Sequence, residues 1–259
     1  MSKKRLLSAG CSLVYGAELS DCADYHGDSD ASLKTWPALI AKRLGYEYYT
    51  CSLCGVSNQG ITRHVIDVCE RYEIDAVIIQ WTFCSRYELR FNKTQPHMRE
   101  PSEYSNLDPW MSRYFGVPRH LPQDKKNGIK QLLDTIDPKT RKLADLWFDA
   151  VHSDDTAVYN YLRCCTEMGC YLKWKGIPFV FASTETDPSK EYIDSLDDAS
   201  ISSLYQIYKL MPTIDFAGMG FWDWCLKNNF DFGIDHPLDD AHAAACNLLL
   251  DNVSNFLQP

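Results

Sequence analysis

Four short apolar runs, bounded by turn residues and alternating with stretches of three- and four-residue apolar spacing, restrict this chain to an α/β fold. The runs are Arg5–Ala9, Glu47–Cys51, Ala76–Gln80 and Pro178–Ala182. Short, largely apolar runs of this kind mark strands buried on both faces, the habit of parallel sheets. Between them, Trp36–Leu44 and Gly60–Tyr72 have apolar residues at helical spacing, as crossover helices require. A doubly wound sheet follows. The pattern runs without a linker, low-complexity tract or internal repeat, which predicts one domain over residues 1–259. Residues 90–138, with prolines at 96, 101, 109, 118, 122 and 138, predict an insertion after the third strand. A helical stripe follows through Leu143, Leu146, Trp147 and Val151, then Val158, Leu162, Cys165 and Met168, and a last helix is predicted from near Asp239 through Leu250.

Composition excludes several classes of function. The apolar share is 45% and the aromatic share 13%, enough for a large core and contrary to disorder. A formal net charge of −9 opposes the counterion release on which nucleic-acid affinity depends, so no nucleic-acid partner is expected. The longest apolar stretches, such as Ala243–Leu250, fall far short of the roughly 20 residues that span a bilayer, so no membrane association is expected. Lys3-Lys4-Arg5 ahead of Cys11 imitates a lipoprotein signal. Only Leu6 and Leu7 stand where about 7 to 15 apolar residues belong, so no signal peptide and a cytoplasmic location are expected. Eleven scattered cysteines fit a reducing compartment better than a disulfide framework.

Four segments hold residues suited to chemistry, and each follows a strand or precedes the last helix. Gly10-Cys11-Ser12 follows the first strand, where an open parallel sheet presents residues to a ligand crevice. Ser12 suits a nucleophile there, although a serine between a strand and a helix is also what an N-cap alone would call for. Cys51 to Gly60 follows the second strand, with Gly55 able to bring a backbone N–H to a substrate oxygen. Its Cys51-x-x-Cys54 pair has no second ligand pair at zinc spacing, so no metal is expected. Gln80 to Glu88 ends the third strand and offers Thr82, Arg86 and Glu88 to the crevice. The last two serve equally as an ion pair pinning the insertion. Asp231 to His242 holds His236 before Pro237 among several carboxylates, the setting of a general base with an orienting acid. His242 lies on the helix among Ala and Leu as a packing residue.

Together these segments resemble the SGNH (GDSL-like) hydrolase superfamily over residues 5–250, leaving out the insertion. Gly10-Cys11-Ser12 looks like the nucleophile segment, Gly55 the glycine after the second strand, Gln80 to Phe83 the third segment and His236-Pro237 the fourth. Trp81, Thr82, Arg86 and Glu88, with the spacing of His236-Pro237 to His242, are more narrowly similar to divergent members encoded by tailed bacteriophages. The resemblance implies a flavodoxin-like α/β/α sandwich with a mainly parallel five-stranded sheet. It also implies a cofactor-free serine esterase with a small-molecule or carbohydrate ester as substrate.

In that scheme Ser12 is the nucleophile and His236 the base. Asp235, or alternatively Asp231, orients His236, because Gly233 stands three residues before it, where the family has its aspartate. Asp239-x-x-His242 is the rival reading of that motif. The oxyanion hole is formed by Ser12, Gly55 and Thr82, the threonine replacing the family's asparagine, and Arg86, Glu88 and Asn58 bind substrate. Glu18, Asp21, Asp24, Asp28 and Asp30 make the segment after Ser12 polar, which favours a short acyl group such as acetyl on a carbohydrate. An acyltransferase using the same site and a non-catalytic binding or assembly protein of the same fold are the alternatives.

Overall fold

The computed structural model describes residues 3–22, 30–90, 110–114 and 153–257, with Lys142, Leu146 and Ala150 as isolated helical positions. In chain order the elements are β1 (Arg5–Ala9), α1 (Ser12–Tyr15), α2 (Trp36–Leu44), β2 (Glu47–Thr50), α3 (Asn58–Arg71), β3 (Ala76–Trp81), β4 (Arg86–Arg90), β5 (Trp110–Tyr114), α4 (Asp154–Lys175), β6 (Phe179–Ser183), α5 (Lys190–Ser195), α6 (Ala199–Tyr208), α7 (Phe221–Lys227) and α8 (Asp239–Leu257). The strands and crossover helices lie within two residues of where periodicity puts them. Leu146 is exposed, against its place in the helical stripe, while Val158, Leu162, Cys165 and Met168 are buried. Leu143, Trp147 and Val151 lie outside the described residues, as does the 90–138 segment apart from Arg90 at the end of β4 and from β5, which pairs antiparallel with β4.

The main sheet runs β2-β1-β3-β6 with every pair parallel. All six residues of β3 are buried, as a central strand covered on both faces requires. The expected five strands are four among the described residues. The place of a fifth is held by one parallel bridge between Phe181 and Thr213. Phe181 N–H donates to the Pro212 carbonyl at 2.9 Å and Ile214 N–H donates to the Phe181 carbonyl at 2.8 Å. Proline has no N–H to extend that ladder, and the chain turns away through Ala217 and Gly218, both at positive φ.

The connections from β1 to β2 and from β2 to β3 run in opposite directions across the sheet, so right-handed crossovers put α2 and α3 on opposite faces. α8 packs on α2, and α4 packs on α3. The result is a three-layer α/β/α sandwich whose strand order reverses beside β1. The carboxyl ends of β1, β2 and β3 there converge on one crevice.

Candidate active site

The turn after β1 is tight enough to need glycine. A Cβ on Gly10 would lie 2.5 Å from Val14 Cγ2 and 3.0 Å from the Gln80 carbonyl oxygen. Cys11 takes the N-cap position of α1, so Ser12 is the first helical residue and its side chain does not cap. Its hydroxyl lies 2.8 Å from Nε2 of His236. Both residues are buried.

His236 is held in a narrow turn. Phe232 and Pro237 form an antiparallel bridge, Gly233 N–H donates to the His236 carbonyl at 2.9 Å, and Leu238 N–H donates to the Asp231 carbonyl at 3.0 Å. Across the ring, Nδ1 lies 2.7 Å from Oε2 of Glu18. An ionised carboxylate only accepts, so Nδ1 holds the proton and Nε2 is left to accept from Ser12.

The sequence points to Asp235 or Asp231 as the orienting acid; the carboxylate beside the ring belongs instead to Glu18, from the turn after α1. Asp235 contributes its backbone N–H, which donates to Glu18 Oε2 at 3.0 Å, while Ile234 N–H donates to Oε1 at 2.7 Å. Burial raises the Glu18 pKa. The hydrogen bonds from His236, Asp235 and Ile234 outweigh that and hold it at about 2. A second acid anchors the turn: Asp239, at the start of α8, accepts from Ser20 N–H at 3.0 Å, from the Ser20 hydroxyl at 2.6 Å and from Lys34 Nζ at 2.7 Å. The helix that follows His236 therefore also grips the turn that bears Glu18. Sequence reasoning reads Glu18 only as part of an acidic segment. The one signal available is indirect, an acid close behind the nucleophile together with none at 233.

The other candidate residues divide by what they touch. Gly55 lies in the left-handed region at φ +77° between β2 and α3, with open space where a side chain would be. Thr82 is buried at the end of β3, and its hydroxyl oxygen has no hydrogen-bond partner among the described residues. Asn58 is expected to bind substrate, yet both ends of its buried amide bond the backbone of Thr82. Its Oδ1 accepts from Thr82 N–H at 2.8 Å and its Nδ2 donates to the Thr82 carbonyl at 3.1 Å. Glu88, also expected at the substrate, has a side chain 4% exposed and accepts from Arg63 at 2.9 Å, tying β4 to α3. Arg86 donates to the Val56 carbonyl at 3.4 Å, with its guanidinium 5.1 Å from the centre of the Phe83 ring.

His242 is fully buried and its Nδ1 accepts from Trp36 N–H at 3.2 Å. Burial lowers its pKa to about 3, so it stays neutral as a packing residue, and the imidazole bonded to Ser12 is that of His236. None of the eleven cysteines is joined in a disulfide. Cys51 is turned toward the Ser8 carbonyl at 3.8 Å, and burial pushes its thiol pKa up. No helix among the described residues is long and apolar enough to cross a membrane.

No family model and no curated protein sequence matches this chain. Solved structures do. A carbohydrate esterase family 2 enzyme with a carbohydrate-binding domain from Corynascus thermopiles (Myceliophthora fergusii) is 14% identical at a TM-score of 0.51, covering 99% of this chain and 67% of that one. The psychrotrophic esterase EstA from Pseudoalteromonas sp. is 10% identical at a TM-score of 0.48, covering 99% and 100%. A member of the lipolytic protein G-D-S-L family from Veillonella parvula is 10% identical at a TM-score of 0.44, covering 96% and 97%. The first of these shows the fold.

Proposed function

We propose that this protein is an SGNH-type serine hydrolase that cleaves a small acyl ester. One observation supports the reading above all: Ser12, His236 and Glu18 stand in a continuous hydrogen-bonded line, with contacts of 2.8 Å and 2.7 Å. Both distances fall within the roughly 2.6–3.2 Å that a working nucleophile and base require. The Ser12 oxygen attacks the ester carbonyl and its proton passes to Nε2 of His236. Glu18 stabilises the imidazolium through the Nδ1 proton. The tetrahedral oxyanion is met by the backbone N–H groups of Ser12 and Gly55 and by the Thr82 hydroxyl. The ester C–O bond then breaks, and the leaving alcohol takes the proton from Nε2. Water attacks the acyl-enzyme and gives a proton to Nε2 of His236; the acyl carbon to Ser12 oxygen bond then breaks, freeing the acid, and His236 returns the proton to Ser12. An alcohol in place of that water would make the same site an acyltransferase.

The polar, acidic segment that follows Ser12 in the sequence favours a short acyl group on a polar carrier. Among the structural neighbours, one is a carbohydrate esterase and another an acetyl xylan esterase, which fits acetyl on a carbohydrate. The test is hydrolysis of p-nitrophenyl acetate by the wild type and by Ser12→Ala, His236→Ala and Glu18→Gln. Activity lost in the first two and strongly reduced in the third supports the reading. A folded Ser12→Ala protein that keeps wild-type activity overturns it.

A further inference from the structure

Glu18 and position 233 compete for one space. A Cβ on Gly233 would lie 2.9 Å from the carboxyl carbon and Oε1 of Glu18 and 3.0 Å from Oε2. Carbon atoms in contact pack about 3.5–4.0 Å apart, so the two cannot coexist without movement. Gly233 is not among the glycines at positive φ, so its backbone would accept other residues. Space alone demands glycine there, and the space is filled by the carboxylate that accepts from Ile234 N–H, Asp235 N–H and Nδ1 of His236. Glu18 reaches that point from a left-handed backbone, φ +69°, which is uncommon for a residue with a side chain. An aspartate at 233 would start where the Glu18 carboxylate ends. Accepting the N–H two residues on, here that of Asp235, is the ordinary Asx-turn habit of aspartate.

We propose that Glu18 and position 233 are alternative carriers of a single carboxylate that serves His236. Glycine stands at 233 because Glu18 occupies the site. Aspartate at 233 takes over His236 when Glu18 is cut back to alanine, and with Glu18 intact the same aspartate is harmful, because two carboxylates then crowd one place. The catalytic side of this rests on the esterase reading above, but the pairing itself has a readout that needs no turnover: the low-field proton resonance of a hydrogen-bonded His236 Nδ1–H.

The experiment compares Glu18→Ala, Gly233→Ala, Gly233→Asp, Glu18→Ala/Gly233→Asp and Glu18→Ala/Gly233→Asn. Two quantities are followed, that resonance and kcat on p-nitrophenyl acetate. Glu18→Ala is expected to lose the resonance and about 10³- to 10⁴-fold in kcat. Gly233→Ala displaces the end of Glu18 from its three hydrogen bonds, so the resonance disappears, kcat falls about ten-fold or more, and the melting temperature falls no further than it does in Glu18→Ala. Gly233→Asp lowers kcat in the wild-type background and, in the Glu18→Ala background, raises it about ten-fold or more and restores the resonance. The Asn variant does neither.

Gly233→Ala keeping both the resonance and wild-type kcat overturns the proposal, as does a folded Glu18→Ala/Gly233→Asp protein recovering neither. If the double variant does not fold, Gly233→Ala decides. If wild type hydrolyses no ester, the esterase reading fails and the resonance alone decides the pairing.

Discussion

Glu18 and His236 stand 218 positions apart in the chain and 2.7 Å apart in space. With side chains about 10% exposed, the pair is shielded from solvent, and it joins the turn after the nucleophile to the turn before the last helix. That contact separates the reading of this crevice as a hydrolase site from a crevice that merely contains a serine and a histidine.

Acid should weaken the protein in two separable windows. His242 holds neutral down to about pH 3 in the fold against 6.5 when unfolded, so the unfolded chain takes up the proton first and stability falls as pH drops from 6.5 toward 3. Glu18, at about 2 against 4.5, adds stability that is complete above pH 4.5 and is lost as pH falls through 2, on the order of 3 kcal/mol. Urea midpoints at several pH values should show His242→Asn flattening the decline between pH 6.5 and 4.5. Glu18→Gln should flatten only the steeper part below 4.5.

Thr82 should separate stability from activity. Its buried hydroxyl oxygen lacks a partner among the described residues, so Thr82→Val is expected to leave stability unchanged or raise it by up to about 1 kcal/mol. If the hydroxyl meets the oxyanion, the same change lowers kcat about 10²-fold with little effect on KM. Equal kcat in the two proteins would remove Thr82 from the hole.

Asn58 should act through Thr82 and not through substrate. Replacing it with alanine leaves the Thr82 N–H and carbonyl without their side-chain partner, at a cost of at least about 2 kcal/mol, and lets the end of β3 move relative to the Gly55 loop. kcat should fall with KM nearly constant. Adding Thr82→Val should then cost less than it does alone, since both act on one group. Full additivity, or a change confined to KM, would speak for substrate contact.

Much of the fold is legible along the chain because its signals are local. Helical spacing in Trp36–Leu44 and the apolar run Ala76–Gln80 each report their own burial. The Gly10 turn and the strand ends place Ser12 and Gly55 beside the crevice by topology. Among the described residues the fifth strand is cut to one bridge by Pro212 on one side and by the turn through Ala217 and Gly218 on the other, neither of which periodicity weighs. Asn58 and Glu88 look like ligand contacts in sequence because polar residues near strand ends suit that role. Their partners, Thr82 and Arg63, are 24 and 25 positions away and appear only once α3 packs beside β3 and β4.

By itself, then, the sequence determined the α/β class, the strand and helix positions, and Ser12 and His236 as candidates, because these depend on short-range periodicity and on which end of a strand a residue follows. Only the tertiary structure decided which acid meets His236. Asp235 is adjacent in sequence, and its backbone N–H donates to the Glu18 carboxylate. Glu18 reaches the imidazole because a left-handed turn, an anchor at Asp239 and the empty side of Gly233 bring one carboxylate to that point. No local pattern encodes such a convergence of three distant segments.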